Sequence, residues 1–127
     1  MGVPKWIRPF FVVAGLYDGI LGLLFLAIPY QLFSMTNVPP PNHVGYIQFP
    51  ALLLVIFGIM FLNVARDPLA NRNLIFYGIL LKVSYSGVVL FHWMQGNMPA
   101  MWLSFAFFDL IFLVIFIIAR KVIGQQL

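Results

Sequence analysis

The chain alternates between long apolar stretches and short polar connections. Four stretches come close to the roughly 20 residues that a membrane-spanning helix needs, and they cover about residues 7–28, 44–65, 73–94 and 99–119. Prolines mark several boundaries, because proline is tolerated in the first turn of a helix and ends a helix elsewhere. The pattern predicts an all-α fold: one domain, with four transmembrane helices in a bundle.

The connections differ in length and polarity. Residues 66–72 and 92–99 are short turns rich in residues that break helices. Residues 29–44 form the longest and least polar connection, with three consecutive prolines at 39–41. We expect this segment simply to join two helix ends near the lipid surface, and a short interfacial helix or a lid is the alternative.

Composition supports the membrane interpretation. Hydrophobic residues make up 63% of the chain and charged residues 8%, and the mean hydropathy is +1.02. A soluble domain could not bury that much apolar surface. The first stretch is too long for the apolar region of a signal peptide and has no small-residue cleavage site after it, so we expect it to be retained. The chain has no cysteine, which excludes disulfides, thiolate ligands and covalently attached c-type haem.

The charges in the connections are sorted by side. Every lysine and arginine other than Lys82 lies at or before the start of the first stretch, between the second and third, or after the fourth: Lys5, Arg8, Arg66, Arg72, Arg120 and Lys121. By the positive-inside rule, both termini are predicted to be cytoplasmic in a bacterial inner membrane. The net charge of +4 is thereby explained as a topology signal, and no nucleic-acid partner is expected.

Three charged residues interrupt the apolar stretches: Asp18, Lys82 and Asp109. Each lies ten or eleven residues from a basic residue at the predicted cytoplasmic end, which are Arg8, Arg72 and Arg120 respectively. At about 1.5 Å per helical residue, all three lie roughly 15 Å deep, close to the centre of the bilayer. Charges at that depth are costly and usually pair inside the protein. The simplest packing brings Lys82 between the two aspartates. Such a cluster could be an ion network that only fixes the order of the helices, or a site that binds a polar head group or relays a proton.

Other residues are candidates to support this cluster or to line a ligand site: Tyr17, Gln48, Tyr85, Ser86 and Trp102. Small residues share the helical face of Asp18, and Gly15 and Gly19 form a GxxxG pair that allows close approach of a partner helix. His43 and His92 lie near the outer side without nearby carboxylates, so no metal site is predicted.

A family resemblance rests on several segments of the chain. The order of GLYDGILGLLFLAIP, PPPN, NVARDP, YGILLK and FFDLIF resembles the DoxX-like group of small four-helix bacterial membrane proteins. DoxX is associated with a thiosulfate:quinone oxidoreductase, so the resemblance implies an accessory or quinone-linked role and supplies no catalytic residue. The small multidrug transporters offer a rival likeness in size and in an acidic residue on the first helix.

Three functions stay open from the sequence. The leading hypothesis is a non-enzymatic membrane subunit or small binding protein that contacts other subunits or further copies of itself. No cofactor is predicted, and a lipid, a quinone or a pigment is a candidate ligand near the charged residues. One alternative is a proton-coupled transporter that uses Asp18 or Asp109. The other is a subunit of a membrane oxidoreductase. No motif of soluble-type catalysis is present.

Overall fold

The computed structural model describes residues 2–127, and the regular secondary structure in that range consists of helices alone. It contains five helices: α1 (Ile7–Ala27), α2 (Pro29–Met35), α3 (Gly45–Arg66), α4 (Arg72–Met94) and α5 (Ala100–Gly124). The four long helices, α1, α3, α4 and α5, are long and apolar enough to cross a membrane. The predictions of an all-α fold and of four spanning segments are confirmed at this level.

The longest connection is more ordered than expected. It begins with the seven-residue helix α2, in which Pro29 occupies the first turn. Pro29 and Phe33 are buried, and the Thr36 hydroxyl closes the helix by donating to the Leu32 carbonyl at 2.9 Å. The expectation of a simple connection was therefore wrong for residues 29–35, and the alternative of a short helix is what the structure contains.

Helix α5 continues to Gly124, five residues past its predicted end. Arg120 and Lys121 lie after the fourth predicted stretch. The buried face nevertheless runs on through Ala119 and Ile123, which are one turn apart and have no exposed surface. Burial of this last turn outweighs the polarity of the two basic residues.

Helices α1 and α3 pack with their backbones in contact. A Cβ atom added to Gly15 would lie 2.8 Å from the Gly58 carbonyl oxygen, and one added to Gly22 would lie 2.5 Å from the Ala51 carbonyl oxygen. Only glycine fits at such positions, as in membrane helix pairs built on small residues. The small residues around Asp18 therefore bind α1 to α3, which leaves the aspartate side chain free to reach α4.

A phenylalanine core joins the two helix pairs α1/α3 and α4/α5. Phe11 stacks on Phe116 with ring centroids 5.4 Å apart, and Phe61 lies 4.9 Å from Phe116. All three have no exposed surface. These residues lie near the end of the molecule that carries both termini, so this half of the helix interior is filled.

Arginines close the same end, which we call the basic end and define by Arg8, Arg66, Arg72 and Arg120. Arg8 donates to the carbonyls of Ala65 and Arg66 at the end of α3, and Arg72 donates to the Arg120 carbonyl in α5 at 2.8 Å. Cations near helix C-termini satisfy carbonyls that lack a partner within the helix and interact favourably with its dipole. The opposite end, which carries α2, is called the α2 end.

Candidate functional site

The three charged residues of the spanning helices meet in one cluster. Lys82 Nζ on α4 donates to both oxygens of Asp18 on α1, at 2.9 and 3.0 Å, and to Oδ1 of Asp109 on α5 at 2.9 Å. Asp18 and Lys82 are 1% exposed and Asp109 is 7% exposed. The predicted contact, with Lys82 between the aspartates, is confirmed, and the two ion pairs are buried.

Aromatic rings surround the ammonium group on its remaining sides. Lys82 Nζ lies 5.2 Å from the ring centroid of Phe112, 5.5 Å from that of Tyr17 and 5.9 Å from that of Phe61. Ring faces attract a cation at such distances. Gly78, one turn before Lys82, allows this packing, because a Cβ there would lie 2.5 Å from the Phe61 ring.

The two carboxylates differ in how many of their oxygens accept hydrogen bonds. Asp18 accepts hydrogen bonds on both oxygens, whereas Asp109 accepts only on Oδ1. No hydrogen bond from residues 2–127 reaches Asp109 Oδ2. The cluster therefore has one more carboxylate than ammonium groups and an acceptor atom to spare.

A cavity of about 520 Å³ lies between this cluster and the α2 end. Asp18 and Asp109 form its closed end, and all four long helices contribute walls. Its lining is mainly apolar and aromatic: Leu21, Phe25, Phe33, Ile47, Ala51, Leu54, Leu81, Tyr85, Trp102 and Phe105 among others. On the other side of the cluster the phenylalanine core is packed, so the cavity ends at the charged residues.

The mouth of the cavity runs along one stripe of α3. Tyr46, Pro50 and Leu53 line the cavity and are also exposed on the outside of the protein, Tyr46 at 70% and Leu53 at 37%. Their spacing of four and three residues puts them on one helical face. Because Leu53 lies well inside an apolar span, this part of the opening faces the region that lipid would occupy.

Some of the predicted supporting residues line the cavity and others do not. Tyr17, Tyr85 and Trp102 line the cavity, and the Tyr85 hydroxyl donates to the Trp102 carbonyl at 3.0 Å. Ser86 is buried one turn beyond Lys82 but is not part of the lining. Gln48 is exposed and also lies outside the lining. The functional roles of these residues stay predictions.

Several lining residues were not singled out from the sequence. Leu21 and Phe25 follow Asp18 at intervals of three and seven residues, a spacing that places them on its face and could have indicated them. Phe33 on α2 carried no such signal, because its position depends on how α2 folds back over the cavity.

Neither histidine belongs to the cluster. His43 Nδ1 accepts a hydrogen bond from the Gly45 amide at 2.9 Å in the turn before α3. Within residues 2–127, no group of three or more His, Cys, Asp and Glu side chains is arranged to hold a metal ion.

Comparison with protein-family models, with curated proteins and with solved structures finds no match to this chain. The resemblance to the DoxX-like group therefore stays a prediction from its sequence segments.

Proposed function

We propose that this chain is a small integral membrane protein that holds an apolar ligand against its buried charge cluster, alone or as a subunit of a larger membrane complex. The observation that carries the proposal is the cavity, which ends at Asp18 and Asp109 in the middle of the apolar helices and opens along α3. A network that served only to fix the helices would need no cavity beside it.

The dimensions and lining of the cavity support a ligand of modest size. Small-molecule pockets in proteins commonly measure about 300–1,000 Å³, with apolar walls and a few polar groups that orient the ligand. This cavity, at about 520 Å³, has that composition. A lipid, a quinone-like molecule or a pigment would fit such walls.

In the proposed arrangement, the four long helices form a bundle across a bacterial inner membrane with both termini in the cytoplasm. The supporting observation is that the arginines of the connections gather at the basic end. The cavity then lies in the outer half of the membrane, and its mouth along α3 opens to the outer leaflet.

Transport is the weaker alternative. It would use Asp18 or Asp109 as a proton carrier, but Phe11, Phe61 and Phe116 occupy the route from the cluster to the basic end. Flux into proteoliposomes that depends on a pH gradient and disappears in Asp109→Asn would favour transport over simple binding.

The proposal is tested by filling the cavity with one side chain. Leu81 lines the cavity, whereas its neighbour Leu80 is 46% exposed and does not. We expect wild-type protein, gently extracted from its own membrane, to carry a bound small molecule in native mass spectrometry. Leu81→Trp should lose this ligand and Leu80→Trp should keep it. A wild-type protein without any ligand, or equal retention by both variants, would contradict the proposal.

A further inference from the structure

The closed end of the cavity holds two carboxyl groups and one ammonium group, which gives a surplus of one negative charge when both aspartates are ionised. Asp18 and Asp109 share the ammonium group of Lys82, and the nearest other cations along α1, α4 and α5, which are Arg8, Arg72 and Arg120, lie ten or eleven residues away at the basic end. Asp109 is nine-tenths buried and lines the cavity, and its Oδ2 receives no hydrogen bond from residues 2–127. A carboxylate oxygen at the wall of a mainly apolar cavity is poorly solvated when it has no donor, so a ligand that brings a donor with positive charge is favoured.

The walls next to Asp109 also suit a cation. Phe25 stacks on Trp102 with ring centroids 6.1 Å apart, and Phe105 lies 6.2 Å from Trp102. The Tyr85 ring is fixed by the hydrogen bond of its hydroxyl to the Trp102 carbonyl. Aromatic faces beside a carboxylate are the usual surroundings of bound ammonium groups.

Other head groups fit less well. A phosphate or carboxylate would be repelled by the surplus acidic charge, and the weak screening of a buried site would increase that repulsion. An uncharged alcohol could donate to Asp109 Oδ2 but would leave the charge surplus in place.

We propose that the cavity selects lipophilic cations, with an ammonium head bound to Asp109 Oδ2 and an apolar body that extends past Trp102 towards the mouth along α3. This inference rests on the proposed function and adds the chemical class of the ligand. The apolar mouth restricts entry to molecules that dissolve in the membrane, and the charged end selects among them.

The test compares three probes with the same apolar chain: dodecylamine, dodecanol and dodecanoic acid. Trp102 fluorescence reports binding in a Trp6→Phe/Trp93→Phe background, since both other tryptophans are exposed and lie outside the lining. We expect the amine to bind about tenfold more tightly than the alcohol, and the acid to bind most weakly.

The variant Asp109→Asn tests whether the Asp109 carboxylate is the group that favours the amine over the alcohol. The amide keeps an oxygen for Lys82, and one aspartate then balances one lysine, so this is the least disruptive way to remove the surplus charge. In this variant, the affinity for dodecylamine should fall to that for dodecanol, and the affinity for dodecanol should not change. Asp67→Asn, at an exposed aspartate near the basic end, is the matched control and should change neither.

The outcomes separate the two proposals. Equal or tighter binding of the alcohol to the wild-type protein would overturn cation selection and leave the ligand-binding function standing. Failure of all three probes to bind, together with the absence of any ligand in native mass spectrometry, would overturn both. The comparison of probes on the wild-type protein decides the question even if Asp109→Asn does not fold.

Discussion

Lys82 is the residue on which the interior depends. Its ammonium group makes three hydrogen bonds to two carboxylates and contacts three aromatic rings, all within a buried site. A buried ion pair contributes little net stability compared with apolar residues of the same shape, but the loss of one partner leaves the others unpaired. The cluster therefore affects stability mainly because the loss of one member would leave a buried charge without a partner.

We expect Lys82→Met to destabilise the protein by about 3–5 kcal/mol, because both aspartates lose their charge partner. The measurement is thermal unfolding in detergent, in which size-exclusion chromatography reports how much folded protein remains at each temperature. Val83→Met, at the exposed neighbouring position, is the control and should behave as the wild type. A Lys82→Met protein as stable as this control would show that the cluster does not contribute to the stability of the fold.

The two aspartates should differ in their contribution to stability. Asp18 uses both oxygens and is more deeply buried than Asp109. Asp18→Asn is therefore expected to lower the unfolding temperature more than Asp109→Asn, measured side by side in the same detergent. The reverse order would mean that Asp109, and not Asp18, is the main partner of Lys82.

The sequence predicted the common depth of the charged residues well, but it predicted less well which face of its helix each residue occupies. Charges are rare in apolar stretches, and their distance from Arg8, Arg72 and Arg120 set a common depth. For Gln48, nothing in the sequence of α3 alone tells which face of the helix is buried. In the structure Ile47 and Ala51 are buried, and Gln48 points roughly 100° away from Ile47.

The contact of α1 with α3 is the most extensive helix contact within residues 2–127. Gly22 contacts Ala51 directly, whereas a Cβ added to Gly19, on the same helix, would meet no atom within 4 Å. These two glycines provide a matched pair, because the change to alanine has the same intrinsic effect on helix formation at both positions.

Gly22→Ala is expected to destabilise the protein by about 1–3 kcal/mol through overpacking, and Gly19→Ala should be neutral or slightly stabilising. Thermal unfolding of both variants in the same detergent checks this. Equal effects of the two substitutions would mean that α1 and α3 are not in backbone contact.

The elements themselves were predictable to different degrees. Length and hydropathy suffice for α1, α3, α4 and α5, since each contains an apolar run of spanning length. The seven residues of α2 are too few to show a helical period against the alternatives. The GxxxG pattern on α1 indicated a close partner, but identification of α3 as that partner requires the three-dimensional packing.

At the scale of the whole molecule, the two ends of the helix interior differ. Aromatic side chains fill the half at the basic end, and the cavity occupies the half at the α2 end. The contacts of α1 with α3 and of α4 with α5 are extensive, whereas those of α3 with α4 are few. The cavity follows from this uneven packing, which no single stretch of sequence could reveal.

The proposed topology leads to a direct test, because the chain has no cysteine of its own. Asn42→Cys at the α2 end and Gln126→Cys at the basic end are both at exposed positions. In intact cells, a membrane-impermeant maleimide should label only Asn42→Cys, and both variants should react after permeabilisation. Labelling of only Gln126→Cys in intact cells would invert the topology.

The depth of the charge cluster has an electrical consequence. Moving one elementary charge through the whole membrane potential is worth about 2.3 kcal/mol per 100 mV. In the proposed orientation, a cation that travels from the outer surface to Asp109 crosses roughly half of that field, which is worth about 1 kcal/mol per 100 mV. An inside-negative potential would therefore draw such a ligand into the cavity, and collapse of the potential would release part of it, so occupancy would report the energetic state of the membrane.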